Sequence, residues 1–339
     1  MGTKMIGKQT VKFTSSPGIL GYGSVVGKKE GEGPISDSFD EICTDSFFGE
    51  NSWEKAESKI LGKAVNIACE KAEILRSQLS FIFAGDLLNQ CISSVFAMRD
   101  SKVPFFGLYG ACSTMGEGIA LAAMAVDGGY ADYALAATSS HFCSAERQFR
   151  MPLEYGGQRT PTAQWTVTGA GACVIGNGAG QQIKYVTQGK IVDRGVKDAN
   201  NMGAAMAPAA YETIKQHLED LSVSPDYYDM ILTGDLGYVG SQILCRLFSD
   251  DGIDISHVHN DCGMIIFDRE IQDVHSGGSG CGCCASVFNG YVLNGMKNGL
   301  WNRILFCPTG ALMSPTSAMQ GESIPSICTA LCIENGGGV

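Results

Sequence analysis

The chain has 339 residues, of which 45% are hydrophobic, and its 35 acidic side chains outnumber 24 lysines and arginines, giving a net charge of −11. Nucleic acids and anionic lipid surfaces are bound through basic surfaces, so this charge argues against both as partners. No uninterrupted apolar run approaches the ~18 residues of a membrane span, and the N-terminal residues lack the apolar core of a signal peptide.

Glycine and proline divide the first part of the chain into short segments. A strand is predicted over residues 10–14, followed by a turn at Pro17-Gly18 and a glycine-spaced loop that reaches residue 26. Residues 28–38 are polar and glycine-rich, which predicts an exposed loop. The next predicted elements are a helix over residues 52–76, a buried strand over residues 79–84 and a helix over residues 94–99.

The most informative stretch is a strand-to-helix elbow that contains Cys112. An apolar, aromatic strand ends at Gly110, and a helix of small residues is predicted from Ser113 to about Val126. A cysteine in this setting lies at the positive end of the helix dipole, beside free backbone N–H groups, which stabilises a thiolate. The alternative is a buried structural cysteine, because free cysteine is often buried. The elbow by itself leaves both interpretations open.

The second half of the chain repeats the plan of the first. Strands are predicted over residues 132–137, followed by a polar run to His141, and over residues 166–175. The matching segments are 82–87 with 231–236, 110–113 with 280–283, 130–135 with 300–305, and 174–178 with 332–336. Matches that recur in the same order indicate an internal duplication, which we place in halves 1–186 and 187–339. Strands that alternate with helices in each half predict an α/β fold.

A cysteine elbow in the first half and a His-Gly-rich elbow in the second resemble the thiolase superfamily, which contains thiolases and β-ketoacyl synthases. The chain is more closely similar to the stage V sporulation protein AD family of spore-forming bacteria. The segments that carry this similarity are 109–115, 147–155 with 160–166, 234–237 and 275–282. The resemblance implies a thiolase-like five-layer α/β/α/β/α fold with two duplicated halves. It also implies a protein that binds dipicolinic acid (pyridine-2,6-dicarboxylate), free or as the calcium chelate, for uptake into the developing spore.

Two functions are compatible with this resemblance. Cys112 matches the nucleophile of the condensing enzymes, and His275 resembles the histidine of the thiolase Gly-His-Pro segment. Residues 233–237 depart from the Pro-His-Gln-Ala-Asn segment of the synthases, and residues 307–312 replace the C-terminal glycine motif with a segment that contains one glycine and a proline. These departures favour a non-catalytic binding protein over an active condensing enzyme that would use Cys112 with an acyl-CoA or acyl-carrier substrate.

The two carboxylates of dipicolinate require local positive charge or N–H donors with apolar surface between them. The candidate cations are Arg147, Arg150 and Arg159, with His141 at a strand end where ligands tend to bind in α/β folds. Asp86 and Asp235 occupy equivalent positions in the two halves and could hold calcium, although helix capping is the favoured interpretation. Further candidates are Cys112, His275, and Gly277 and Gly278 as part of an anion-binding turn. His217, in a polar helix, is predicted to face solvent.

No cofactor and no metal site are expected. Cys281, Cys283 and Cys284 are too crowded for the usual spacing of zinc ligands, and we interpret them as small residues that pack a helix. The chain has 14 cysteines and no export signal, which predicts reduced thiols in a soluble, internally located protein. The resemblance implies that this location is the sporulating cell. The resemblance implies a homodimer, and peripheral attachment to the spore inner membrane through membrane-embedded SpoVA proteins.

Overall fold

The computed structural model describes residues 2–149, 158–178 and 180–336. The strands are β1 (Met5–Ile6), β2 (Thr10–Lys12), β3 (Gly18–Gly27), β4 (Glu41–Cys43), β5 (Phe81–Gly85), β6 (Phe105–Leu108), β7 (Tyr133–Ser140), β8 (Trp165–Thr166), β9 (Gly169–Gly176), β10 (Gln181–Gln188), β11 (Met230–Thr233), β12 (His259–Asp261), β13 (Gly278–Ser279), β14 (Arg303–Cys307), β15 (Thr309–Ala311) and β16 (Ser326–Asn335).

The helices are α1 (Lys28–Gly31), α2 (Trp53–Lys71), α3 (Ile92–Met98), α4 (Thr114–Asp127), α5 (Phe142–Phe149), α6 (Met202–Leu221), α7 (Gly237–Asp250), α8 (Cys262–Ile265), α9 (Cys281–Val287), α10 (Leu293–Lys297) and α11 (Pro315–Met319). A π-helical turn at Phe288–Val292 joins α9 to α10, and short 3₁₀ turns occur at Ser36–Ser38, Arg76–Gln78, Asn89–Cys91, Ala111–Ser113 and Pro225–Tyr227.

The strands confirm the duplication, because two sets of five have the same order and direction. In the first half the order is β6-β5-β7-β9-β3, where β6, β5 and β7 are parallel and β9 and β3 are antiparallel to their neighbours. In the second half β12-β11-β14-β16-β10 follows the same pattern. The two sets meet where β3 pairs with the first residues of β10. The boundary between residues 186 and 187 stays a prediction.

The predicted five-layer α/β/α/β/α arrangement is confirmed. Helix α2 covers the outer face of the first sheet, and its apolar residues form one core with β5, β7 and β9. Helices α4 and α9 lie between the sheets and share the largest core with residues of both halves. Helices α6 and α7 cover the outer face of the second sheet around a third core. Burial of apolar surface in these three cores is the main stabilising contribution to the fold.

Several local predictions are wrong. The glycine-spaced segment before residue 26 is the central strand β3, not a loop, because its glycines let α2 pack directly on the strand. A Cβ atom at Gly21 would lie 2.3 Å from the carbonyl oxygen of Ala68 in that helix. Residues 28–38 contain α1 and a 3₁₀ turn rather than a loop exposed throughout, and Glu30 there is buried. The single strand predicted over residues 166–175 is divided between β8 and β9.

The prediction that His217 faces solvent is also wrong. It lies on the buried face of α6 and not on the solvated face. One ring nitrogen is 2.6 Å from the hydroxyl of Thr187, and the other contacts the hydroxyl of Tyr228. Burial lowers the pKa of His217 to about 4, so this histidine is neutral at physiological pH.

Candidate functional site

Cys112 lies in a tight 3₁₀ turn between β6 and α4. The preceding residue, Ala111, has a φ of 51°, a left-handed conformation that residues other than glycine rarely adopt. Ser113 stabilises the turn by donating its hydroxyl hydrogen to the carbonyl oxygen of Gly110, at 2.7 Å. Gly310 of β15 packs against this carbonyl so closely that a Cβ atom there would lie 2.1 Å from it. Backbone strain of this kind is concentrated at functional sites.

The second elbow meets the first at Cys112. It begins at Gly280, between β13 and α9. The thiol of Cys281 donates to the carbonyl oxygen of Ala111 at 2.9 Å, and the thiol of Cys284 donates to that of Cys112 at 3.4 Å. The two elbows, predicted from equivalent sequence segments, are therefore in direct contact, and residues from both halves form the site.

The Cys112 thiol is buried, with 9% of the residue exposed. Burial, and secondarily the neighbouring carboxyl of Asp235, raise the pKa of Cys112 well above its usual value. The N–H groups of Gly280 and of Cys112 itself act in the opposite direction and do not reverse the shift. The elbow thus holds a neutral thiol at physiological pH rather than a thiolate, because the cost of burying the charge exceeds the stabilisation by the N–H groups.

Asp235 lies behind this thiol, fully buried at the end of β11. Within the described residues, neither of its carboxyl oxygens accepts a hydrogen bond from an N–H or O–H group. Its neighbours are the thiols of Cys283 and Cys284, which are weak donors. Burial, followed by the nearby Asp261, raises the pKa of Asp235 well above its usual value. Burial therefore favours the protonated form of this carboxyl.

Asp86, the counterpart of Asp235 in the first half, has a complete set of partners. It accepts hydrogen bonds from the backbone N–H groups of Leu88 (2.9 Å) and Ser94 (2.8 Å), and from the hydroxyl of Ser94 (2.7 Å). Ser94 lies in the first turn of α3, so Asp86 caps this helix. Among the described residues, no group of three or more possible ligands is arranged to hold a metal ion.

A cavity of about 550 Å³ opens in front of Cys112. Its lining comes from both halves and is mainly apolar. The lining residues are Leu87, Tyr109, Ala111, Cys112, Ala145, Glu146, Phe149 and Thr166 from the first half, and Ala199, Met202, Met206, Ser279, Gly280, Ala311, Leu312, Met313, Ser314 and Ser317 from the second. Of these lining residues, all from the described ranges, Glu146 alone carries a formal charge, and none is a histidine. The volume and the small number of polar groups suit a small, flat organic ligand.

The predicted histidines and arginines that the structure describes do not line this cavity. His141 is buried, its Nε2 atom lies 2.8 Å from the carbonyl oxygen of Ser46, and burial lowers its pKa. Arg147 forms an ion pair with Glu54 on α2. Arg150 lies outside the described residues. The ligand-binding roles expected of His141, Arg147, Arg150 and Arg159 stay predictions.

His275 and Arg159 come together at a different place, on either side of Asp273. The Nε2 atom of His275 lies 3.3 Å from a carboxylate oxygen of Asp273, and Arg159 donates to its backbone carbonyl at 2.8 Å. Gly277 and Gly278 pair with β8: the carbonyl oxygen of Gly277 accepts from the N–H of Trp165 at 2.8 Å. The cavity reaches Thr166 and Ser279, whereas His275 precedes the two-stranded ribbon in the chain and is not among the residues that line the cavity.

Much of the cavity was not identifiable from the sequence. Helix α5, which contributes Ala145, Glu146 and Phe149, was not predicted at all. The residues that complete the opposite wall lie around residues 199–206 and 311–317, which carry no catalytic or ligand-binding motif. One signal was available, because residues 307–312 had been singled out for their departure from the synthases, and this segment leads into the wall.

Comparison with known proteins gives a consistent result. The family model for stage V sporulation protein AD (SpoVAD) matches residues 7–334. Stage V sporulation protein AD of Bacillus subtilis (strain 168) is 45% identical over 336 residues, covering 99% of both chains. Within the described residues, we find no helix whose length and apolar character would allow it to cross a membrane.

Solved structures that are similar to this chain include OleA and a 3-oxoacyl-[acyl-carrier-protein] synthase. The C143A variant of OleA from Xanthomonas campestris matches with a TM-score of 0.61 and 15% identity, over 98% of this chain and 99% of that one. The 3-oxoacyl-[acyl-carrier-protein] synthase III from Aquifex aeolicus matches with a TM-score of 0.54 and 12% identity, over 94% and 99%. At this identity, the comparison shows a shared fold and not a shared activity.

Proposed function

Because the chain belongs to the stage V sporulation protein AD family, we propose that it binds dipicolinic acid, free or as its calcium chelate, for uptake into the developing spore. The ligand site is the cavity in front of Cys112. The family membership rests on a match that covers nearly the whole chain. The choice of cavity rests on its position at the contact between the two elbows and on its size.

One observation carries the choice of binding over catalysis: the thiol at the nucleophile position is not activated. Burial, and secondarily the carboxyl of Asp235, raise the pKa of Cys112, and the described lining of the cavity contains no histidine. A condensing enzyme needs an activated nucleophile with a base in reach. Glu146 is the one carboxyl in the described lining, and a thiol that stays neutral beside it provides a wall that binds a ligand without reacting with it.

The polar groups around the cavity suggest how a flat dicarboxylate could be oriented. Hydroxyl-bearing residues of the lining come from both halves: Thr166 from the first, and Ser279, Ser314 and Ser317 from the second. The same lining contains apolar side chains such as Phe149 and Met206. Hydroxyl groups can donate to carboxylate oxygens at both ends of the ligand while the apolar residues cover the ring.

Titration calorimetry tests this function. We expect saturable binding of dipicolinate. Isophthalate, which places its carboxylates similarly but lacks the ring nitrogen that chelates calcium, should show no gain in affinity when calcium is added. Parallel titrations with and without equimolar calcium show which form is preferred. Absence of saturable binding in both series would contradict the proposed function.

The location of the site is tested with a matched pair of variants. Ala311→Phe fills part of the cavity, and we expect it to weaken dipicolinate binding at least tenfold. Ala318→Phe places the same side chain on the exposed surface of α11, outside the cavity, and should bind like the wild type. Equal affinities for the two variants would place the ligand elsewhere. Stable addition of an acyl group to Cys112 on mixing with an acyl-CoA, followed by turnover, would support the condensing enzyme instead.

We also propose that the chain forms a homodimer through β6. This strand is the edge of the first sheet, and its exposed apolar side chains include Phe106, 49% exposed, with Tyr109 just beyond it, 48% exposed. An exposed apolar edge strand is prone to pair with another strand. Sedimentation should give twice the chain mass of 35.9 kDa for the wild type and the single mass for Phe106→Lys. Tyr130→Lys, at an exposed residue after α4, is the control and should remain dimeric.

Attachment to the spore inner membrane is proposed to require a partner, namely the membrane-embedded SpoVA proteins. The support is the formal net charge of −11, which disfavours direct attraction to anionic lipids. Flotation of the purified protein with phosphatidylglycerol vesicles should leave it unbound. Binding to these vesicles without a partner would contradict the proposal.

A further inference from the structure

A second concavity, larger than the Cys112 cavity, lies between helices α2 and α3 in the outer layer of the first half. Its volume is about 870 Å³. One wall is formed by Lys55, Lys59 and Lys63, which follow one another at intervals of four residues along α2. Such spacing places the three ammonium groups on one face of the helix, about one turn apart. Arg76 and Arg99 lie at the far end.

The other wall of this groove is apolar. It is formed by Ile92, Phe96 and Ala97 of α3, and Phe96 is 51% exposed. The floor contains small residues, Ser58 and Gly62 of α2. The α2–α3 groove therefore has a cationic side and an apolar side, which run along the same pair of helices.

The positive charge of the groove is only partly neutralised. Five of its lining residues are cationic and two, Glu50 and Glu54, are acidic. Lys59 pairs with Glu50 at 3.0 Å, Lys63 pairs with Glu41, and Arg99 pairs with Asp100 at 3.4 Å. Within the described ranges Lys55 has no acidic partner, and the Nε atom of Arg76 is buried without a hydrogen-bond acceptor. A locally basic groove on a chain of net charge −11 selects for an acidic occupant.

We propose that the α2–α3 groove docks an acidic amphipathic helix of a partner protein. The apolar face of that helix packs against Ile92 and Phe96, and its carboxylates, spaced by one turn, lie along Lys55, Lys59 and Lys63. This is the helix-in-groove mode of recognition, in which apolar anchors supply affinity and charges fix the orientation. A phosphate ligand or a lipid headgroup would leave the apolar wall unused. The inference is independent of dipicolinate binding, because this groove and the Cys112 cavity share no lining residue.

The test uses a designed peptide of about 18 residues as the probe, long enough to present several helical turns. Leucines occupy one helical face and glutamates the other; a second peptide has the same composition in scrambled order. Fluorescence anisotropy measures binding to the full chain. We expect the amphipathic peptide to bind and the scrambled one to bind at least tenfold more weakly. Raising the salt concentration should weaken binding of the amphipathic peptide, because the lysine row is partly exposed.

Two kinds of variant distinguish the two walls. The triple variant Lys55→Glu, Lys59→Glu and Lys63→Glu should weaken binding of the amphipathic peptide at least tenfold. The control triple Lys12→Glu, Lys190→Glu and Lys297→Glu makes the same change in net charge at exposed sites outside the groove, and should weaken it no more than twofold. Phe96→Ala changes a half-exposed site where folding is not at risk. It should weaken binding of the amphipathic peptide severalfold and leave the weak binding of the scrambled peptide unchanged.

Other occupants are outcomes that would overturn the proposal. Equal binding of both peptides, or equal loss with both triple variants, would mean unspecific charge attraction. Loss of dimerisation in the groove triple variant would make the groove an interface between copies of this chain. Binding of phosphatidylglycerol vesicles, lost in the groove variant, would make it a lipid site. The groove triple variant should bind dipicolinate with the same affinity as the wild type. This titration therefore distinguishes failure of the groove proposal from failure of the proposed dipicolinate function.

Discussion

Asp86 and Asp235 occupy the same position in the two halves, yet their surroundings are opposite. Each follows the first parallel strand of its sheet, in a Gly-Asp-Leu sequence. Asp86 accepts three hydrogen bonds and caps α3. Asp235 accepts none from N–H or O–H groups of the described chain. In the second half Asp261 of β12 takes over the backbone N–H groups of Leu236 and Gly237 at the start of α7.

This difference explains how one half of a duplicated chain can change its chemistry without changing its fold. Once Asp261 satisfies the helix start, the carboxyl of Asp235 is no longer needed there and faces the thiols of α9 behind Cys112. A residue at a capping position thus becomes a group that adds to the effect of burial on the pKa of Cys112. The following predictions test this comparison, beginning with the largest expected effect.

Asp86→Ala should lower the free energy of unfolding by about 3–5 kcal/mol, because it leaves buried backbone and hydroxyl donors without an acceptor. Asp235→Ala should change it by about 1 kcal/mol or less, since no comparable hydrogen bonds are lost. Urea unfolding followed by circular dichroism provides the measurement. If the two substitutions proved equally destabilising, the contrast between the two carboxyls would be wrong.

The second test uses pH. Because burial raises the pKa of Asp235, the folded chain retains a proton that the unfolded chain releases, and this residue makes stability fall as pH rises from its unfolded pKa through its folded pKa. Asp235→Asn removes this titration. As the pH rises from 4 to 8, the difference in free energy of unfolding between the variant and the wild type should therefore move in favour of the variant. Parallel pH profiles for variant and wild type would show that Asp235 does not carry a raised pKa.

The third test concerns the reactivity of Cys112. At pH 7.5, its alkylation by iodoacetamide should be at least tenfold slower than that of the partly exposed Cys43, because the buried thiol is neutral. At pH values where the Asp235 carboxyl is ionised, Asp235→Asn should increase the rate at Cys112, because the carboxylate charge opposes thiolate formation, and it should leave the rate at Cys43 unchanged. Peptide mass spectrometry resolves the two sites. Rapid alkylation of Cys112 in the wild type would restore the thiolate interpretation.

The smallest expected effect concerns the ligand. Cys112→Ala should weaken dipicolinate binding about five- to tenfold, which corresponds to about 1 kcal/mol for a truncated group that lines the cavity. Cys43→Ala, far from the cavity lining, is the control and should not alter the affinity. Calorimetry on folded, monodisperse variants decides the matter, and an unchanged affinity for Cys112→Ala would mean that the ligand does not contact the elbow.

The sequence by itself determined the duplicated α/β plan, the Cys112 elbow and the equivalence of the two elbows. These features rest on local patterns: strand-forming runs, small-residue helices and glycine turns repeat in the same order in both halves. It also identified Asp86 and Asp235 as equivalent. Their different environments could not be read from it, because identical Gly-Asp-Leu segments give no indication that Asp261 would supply the competing acceptor.

Tertiary structure decided which residues share a site. His275 is close to the second elbow in sequence, yet its ring contacts Asp273 and is not among the residues that line the cavity. Helix α5 and the segment around Ala311 meet at the cavity only after the two halves pack together. The protonation of Cys112 was decided in the same way. The helix dipole can be inferred from an elbow in the sequence, whereas the burial and the neighbouring carboxyl that outweigh it depend on the packing of both halves.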